Sequence, residues 1–269
     1  MGLRNPFRIS IDSRRNWLFW GDVGPDAGRD SVSRGPKGLD GINLARQAGN
    51  WGWPYSRGNN RAYHDYNFAA KVSGPRFDPA QPINDSPNNT GLRELPATTP
   101  YLIWYSYDES KEFPWVGTGG KNPMAGPVYY VDDYPATTRF PDYFDGKLLI
   151  YEWMRHWFFA VELDSTGQFR KADPFMADAE FTRPMDVIIG KDGRLYLLEY
   201  GNLWFSRNLD ARLSRVDYIR GNRGPKAVIA AERWVGGEPF TVKLSAADSR
   251  DLDGDKLKYE WWVGDQKLE

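Results

Sequence analysis

Three aspartates late in the chain, Asp251, Asp253 and Asp255, stand at alternate positions around Gly254. Calcium loops use such spacing to converge hard oxygen ligands, so these three are candidate metal ligands. The stretch lacks the distal bidentate glutamate of an EF-hand, and a hydrogen-bonded Asp/Gly turn between strands is the plainer reading. Only two histidines occur, His64 and His156, and cysteine is absent. A three-histidine zinc site, thiolate metal sites, cysteine nucleophiles and disulfides are therefore excluded within this chain. His64 falls in a long loop and reads as a surface residue, whereas His156 falls in a tight turn beside Arg155 and Trp157. Trp104, Trp115 and Trp204 could stack on sugar rings, against the ordinary role of packing aromatic residues in a β protein.

The elements that must hold such residues can be read from composition. The 269 residues carry 35 Lys+Arg against 36 Asp+Glu, a net charge of -1. That excludes a general electrostatic grip on nucleic acid or anionic lipid. No run of eighteen apolar residues suggests a membrane span, and Met1 to Trp20 does not read as a signal peptide. Aromatic residues reach 15%, with 27 Gly and 19 Pro, which points to an all-β architecture.

Three stretches share one outline, a turn and two β-rich runs. They are 17–21 with 41–46, 147–153 with 157–163, and 194–200 with 211–218, the last two opened by Asp145-Gly146 and Asp192-Gly193. A further strand is expected before each, at 8–11, 127–131 and 184–189. The pattern is a repeated antiparallel meander, as in propeller blades. Between Pro54 and Pro100 lies a long stretch rich in Pro, Gly, Asn and Asp, read as a functional insertion or a partly ordered loop. A boundary is expected at 221–225 (GNRGP), giving domains 1–221 and 225–269. The second has expected strands at 226–231, 239–246 and 256–263.

The most specific segment reads GLRNPFRISID, then LFWGDVGPDAG, then LDGINLARQAGNWGWP. It resembles the soluble quinoprotein glucose/sorbosone dehydrogenase family in the order of its motifs: an Arg-Asn pair, a Gly-Pro turn, an Asp-x-Ile-Asn run and a Gly-Asn-x-Gly-Trp-Pro end. The likeness continues more weakly to Tyr218. Residues 225–263 resemble a PKD-type, immunoglobulin-like module through GEPFTV, DSRDLDGD and YEW.

The resemblance implies an all-β fold: about three blades of a six-bladed β-propeller, its C-terminal part, followed by a truncated PKD-like β-sandwich. The chain is accordingly expected to be a piece of a longer protein. The family binds pyrroloquinoline quinone (PQQ), a flat tricarboxylate, with calcium, and moves hydride from the C1 of an aldose to the quinone. By that likeness Arg4, Asn5, Arg183 and Arg155 are expected cofactor contacts, arginine being suited to carboxylate by its fork. Arg155 needs a one-residue shift, since the aligned position is Met154. The carbonyls of Gly24 and Pro25 are expected calcium ligands. Trp51 and Trp53 belong to the family motif, where packing is their expected role.

Two departures stand out. Asp40-Gly41 replaces the family's Asp-Glu, leaving Asp40 and Asn43, and Met185 replaces a second arginine. The family's histidine base would lie upstream of Gly2, so this piece alone is expected to be inactive. The resemblance further implies a sugar substrate, an acceptor such as a cytochrome c, and a bacterial periplasmic or extracellular location. A non-catalytic propeller that binds carbohydrate or protein is the alternative. A calcium-dependent lactonase on the same fold is a third reading, and it would need an acidic cluster at the central channel.

Overall fold

A computed structural model describes residues 1–251 and 253–268; Leu252, inside the acidic turn, and Glu269, the last residue of the expected second domain, lie outside them. The chain forms two units, Met1–Asp217 and Tyr218–Glu269.

In the first unit the chain opens with β1 (Pro6–Asp12), β2 (Trp17–Asp22) and β3 (Asp40–Ala45), an antiparallel meander. Alternation sorts its side chains. Ile9 pairs with Trp20 and Ile11 with Leu18 on one face, whereas Trp17 and Phe19 turn the other way into the core. The long insertion that follows is ordered, with two hairpins: β4 (Ser56–Arg57) with β5 (Arg61–Ala62), and β6 (His64–Asn67) with β7 (Val72–Arg76). It returns as β8 (Ile103–Tyr105), which pairs with β3 and closes a four-stranded sheet in the order β1-β2-β3-β8.

The second sheet contains β9 (Pro123–Val128), β10 (Leu148–Glu152), β11 (Phe158–Leu163) and β12 (Phe169–Pro174), in that spatial order. Its β10 is buried along its whole length, because this sheet lies between the other two. The third contains β13 (Pro184–Ile189), β14 (Leu195–Glu199) and β15 (Arg212–Val216). These are three propeller blades, with β1, β9 and β13 innermost: Arg8 of β1 donates from Nε to the Met185 carbonyl of β13 at 2.6 Å. One core joins the first two blades, with Phe19, Ile42, Ile103 and Tyr105 against Ala125, Leu148, Ile150 and Phe159. Burial of such side chains at roughly 25 cal/mol per Å² is the main force holding blade to blade.

One expected strand moves. The innermost strand of the second blade runs over 123–128, not 127–131, and Val131–Asp133 is a 3₁₀ turn. Both prolines fit because β9 has a ladder on one side only, with a bulge opposite Leu148–Ile150.

The second unit holds short pairings. β16 (Ala230–Ala231) pairs with β17 (Leu244–Ser245), and β18 (Trp262–Val263) with β19 (Gln266–Lys267). A bridge joins Lys226 to Arg250. Among the described residues no helix is long and apolar enough to cross a membrane.

Candidate functional site

In every blade the first strand starts and the second strand ends at the same edge. Each first strand starts on proline (Pro6, Pro123, Pro184), and each second strand ends on an acid (Asp22, Glu152, Glu199). All three carboxylates are buried. Each accepts backbone N–H groups from the residues that enter the blade, donors that have no ladder partner. Asp22 takes those of Asn5 (2.7 Å) and Arg4 (3.3 Å), Glu152 takes that of Asn122, and Glu199 takes that of Thr182 (2.7 Å). This edge is the mouth of the blades, and it gathers Arg4, Asn5, Gly24, Lys121, Arg155 and Arg183.

The insertion sends Arg57 into the mouth. Its Nη1 lies 2.8 Å from Asp22 Oδ2 with both side chains fully buried, and its Nε and Nη2 donate to the Leu39 carbonyl (3.3 and 3.0 Å). The Tyr101 hydroxyl donates to the same Asp22 oxygen at 3.2 Å; burial, then the nearby carboxylate, pushes its phenol well up despite Arg57. Beside this pair, Asp40 Oδ1 accepts the Gly24 N–H (2.8 Å) and the Lys121 ammonium (2.5 Å). Burial raises the Asp40 carboxyl, and Lys121 opposes that shift. The Asp40 Oδ2 is buried without a partner. The Gly24–Pro25 turn packs on the entry to β3. The Pro25 carbonyl faces Gly38 so closely that a Cβ there would overlap it, and a Cβ at Gly24 would overlap the Leu39 carbonyl.

Arg4 has an exposed side chain; Nη1 donates to the Val23 carbonyl (3.1 Å), and its guanidinium sits 5.7 Å from the Trp53 ring centroid. Asn5 holds the turn through its backbone, its carbonyl accepting the Val23 N–H at 3.1 Å. Arg183 has φ of 56° and stacks 4.9 Å from the Trp153 centroid, and its buried Nη1 has no partner. Burial, then the Arg183 charge, lowers the His156 pKa. Arg155 is fully engaged. Its N–H groups donate to the carbonyls of Ser106, Val116, Gly117, Gly119 and Gly120 at 2.7–3.1 Å. All five donors of a guanidinium are then in use, which leaves none for a bound carboxylate.

The other candidates lie elsewhere. His64 sits in the β6–β7 hairpin, with Nδ1 2.9 Å from the Gly74 carbonyl and Nε2 accepting from Arg76 Nε at 3.1 Å. Trp51 packs on Trp20, and Trp53 on Tyr63, as expected of packing residues. Trp104 and Trp115 are partly buried against the shared core, and Trp104 also lines the larger cavity described below. Trp204 is 57% exposed and rests on Trp153 and Phe205. In the second unit Asp251 Oδ1 accepts the N–H groups of Asp253 (2.8 Å) and Asp255 (3.2 Å), and Asp253 is paired with Arg223. Among the described residues no three His, Cys, Asp or Glu side chains gather as metal ligands. A cavity of 830 Å³ between the first and second blades and one of 560 Å³ on the first are lined by none of Arg4, Asn5, Gly24, Pro25, Arg155 or Arg183.

Sequence reading missed Arg57 and Lys121. Arg57 was hidden in an aperiodic insertion. Lys121 had a signal: Arg4-Asn5-Pro6 recurs as Lys121-Asn122-Pro123, at the same place in successive blades.

The charges at the mouth do not cancel pair by pair. Asp22 pairs with Arg57, Asp40 with Lys121 and Glu199 with Arg212. Among the described residues Arg4 and Arg183 make no ion pair, and the charge of Arg155 acts on Glu152, the remaining mouth carboxylate. Such an edge favours an anion.

No protein-family model matches the chain, and no curated protein matches it. Solved structures similar to it include the PQQ-bound aldose sugar dehydrogenase of Streptomyces coelicolor, at 14% identity and TM-score 0.42, covering 80% of this chain and 43% of that one. A putative oxidoreductase (glucose dehydrogenase) of Thermus thermophilus has 18% identity and TM-score 0.42, covering 80% and 46%. The apo-form soluble aldose sugar dehydrogenase of Escherichia coli has 19% identity and TM-score 0.36, covering 73% and 42%. The chain thus spans less than half the length of each.

Proposed function

We propose that this chain forms part of a PQQ-dependent sugar dehydrogenase, as the C-terminal part of its propeller, and that its mouth holds the quinone. The observation that carries this reading is the unpaired guanidinium charge at the starts of β1 and β13, with the buried Arg183 Nη1 lacking any acceptor. A buried donor without a partner costs about 1–3 kcal/mol, and a ligand carboxylate would relieve it. The resemblance of the motif order around Arg4, Asn5 and the Gly24–Pro25 turn to that of quinoprotein dehydrogenases suggests PQQ, with its three carboxylates, as the ligand.

Arg4 and Arg183 would bind those carboxylates, with Trp153 setting the plane of Arg183. Arg155 would act from behind, fixing the 106–120 loop. The bound quinone would supply a two-electron acceptor for hydride leaving an aldose C1. Calcium does not fit the residues present: a lysine stands on Asp40, and the Pro25 carbonyl is turned onto Gly38. The second unit would be a PKD-type module, and the setting periplasmic or extracellular, with a cytochrome c as acceptor.

The test is quenching of tryptophan fluorescence on titration with PQQ. The intact chain should saturate, and Arg4→Ala and Arg183→Ala should each weaken binding about tenfold, the loss of one charged hydrogen bond. A wild-type chain that shows no saturable quenching would sink the reading. The exposed Trp204 on Trp153 favours a second one, a non-catalytic carbohydrate binder. Retardation in polysaccharide gels that Trp204→Ala abolishes, without PQQ binding, would select it.

A further inference from the structure

We propose that the Lys121 ammonium is the built-in cation of this mouth, so that the Gly24–Pro25 turn is ordered without a divalent metal. This rests on the quinone reading for the ligand served; the ion pair itself does not depend on it.

Two observations place the ammonium there, and two more concern the metal ligands it would replace. One oxygen, Asp40 Oδ1, takes both the Gly24 N–H at 2.8 Å and Lys121 Nζ at 2.5 Å, so the charge sits on the atom that holds the turn. The side chains are 1% and 0% exposed, and Nζ lies 4.5 Å from the Tyr107 ring centroid, so a π face closes its far side. A glutamate at position 41, the family's choice, has no room: a Cβ at Gly41 would overlap the Ile103 carbonyl of the paired strand β8. The Pro25 carbonyl is likewise packed against Gly38.

Calcium needs six to eight oxygen ligands at about 2.3–2.6 Å. Here Asp40 carries an ammonium on Oδ1, and its Oδ2, buried without a partner, is one oxygen where several are needed. A second buried cation beside it would be repelled, with the low local dielectric strengthening that repulsion. The Lys121 backbone is fixed as well, since the Asn122 N–H donates to Glu152. Lysine with its single compact charge suits this place, and Arg4, its counterpart in the first blade, stays at the surface.

The experiment measures thermal unfolding of the intact chain in EGTA and in millimolar calcium. Wild type, Asp40→Asn, Lys121→Met and Lys121→Arg are each tested. The readout is the part of a calcium shift that Asp40→Asn abolishes, which sets aside calcium taken up elsewhere in the chain. No such shift is expected in wild type or Lys121→Arg, whereas Lys121→Met, which strands the buried Asp40 carboxylate, should melt about 3 °C or more below wild type in EGTA. A wild-type or Lys121→Arg calcium shift, or a folded Lys121→Met that melts with wild type, overturns the proposal. Should Lys121→Met not fold, the wild-type and Lys121→Arg arms still decide. PQQ quenching run in both buffers should give superimposable wild-type curves, and curves that need calcium overturn the proposal too. Absence of any quenching would instead remove the proposed function and leave the thermal comparison standing.

Discussion

Glu152 and Glu199 end equivalent strands and cap equivalent turns, yet their carboxyls shift in opposite directions. Burial raises Glu152 to about 7, against N–H donors from Asn122, Arg155 and Met154 that pull it down. Burial also acts on Glu199, but Arg212, Ser214 and Thr182 outweigh it and hold the carboxyl low. For Glu152 the folded state keeps a proton that the unfolded chain has released above 4.5. Its contribution is therefore complete below 4.5 and declines by about 1.4 kcal/mol per pH unit until about 7. Glu199 contributes the other way, losing stability as the pH falls through its lowered value. Urea midpoints between pH 5 and 8 should decline less steeply in Glu152→Gln than in wild type; parallel profiles would refute the assignment. Asp22 and Arg57 are both fully buried, so removing one leaves the other charge stranded. Arg57→Met should lower stability by about 3–5 kcal/mol by urea denaturation, far beyond an exposed arginine.

At the scale of the element, blades touch through glycine. A Cβ at Gly21 on β2 would overlap the Pro123 carbonyl that opens β9. Gly21→Ala must separate two blades, and should cost about 1–3 kcal/mol in urea denaturation. An unchanged midpoint would mean the blades are not in register there. Strands with strong alternation or apolar runs were legible: 184–189 matches β13, and WLFWG and KLLIYEW locate β2 and β10 to within a residue or so at each end. β8 was not, because three residues after an aperiodic insertion carry no period, and only pairing with β3 makes them a strand. β12 (FRKADP) is an outer strand with few apolar residues, so its sequence offers no buried face. At the candidate site, Arg4 and Arg183 were singled out by family resemblance, and both stand just before a strand-opening proline at the mouth. The partners of Asp22 and Asp40 were not, because Arg57 and Lys121 arrive from distant segments, 35 and 81 residues away.

Over the whole molecule, the burden of stability falls unevenly. The first unit buries long aromatic and aliphatic rows between blades, whereas in the second Trp234, Val235, Tyr259, Trp262 and Val263 are all exposed. The second unit's strands are two residues each, so its backbone amides have few ladder partners. A segment of that size has little core to offset its ordering entropy. Amide exchange in the intact chain should therefore be fast across 226–251 and 253–268, and slow across β10 and β11. The two units should also answer separately to a change in one of them. Arg57→Met, which weakens the first, should speed exchange in β2, β3 and β10 while leaving 226–251 and 253–268 at the wild-type rate. A common acceleration across both units would show one cooperative body, and would tie the mouth's ion pairs to the stability of the entire chain.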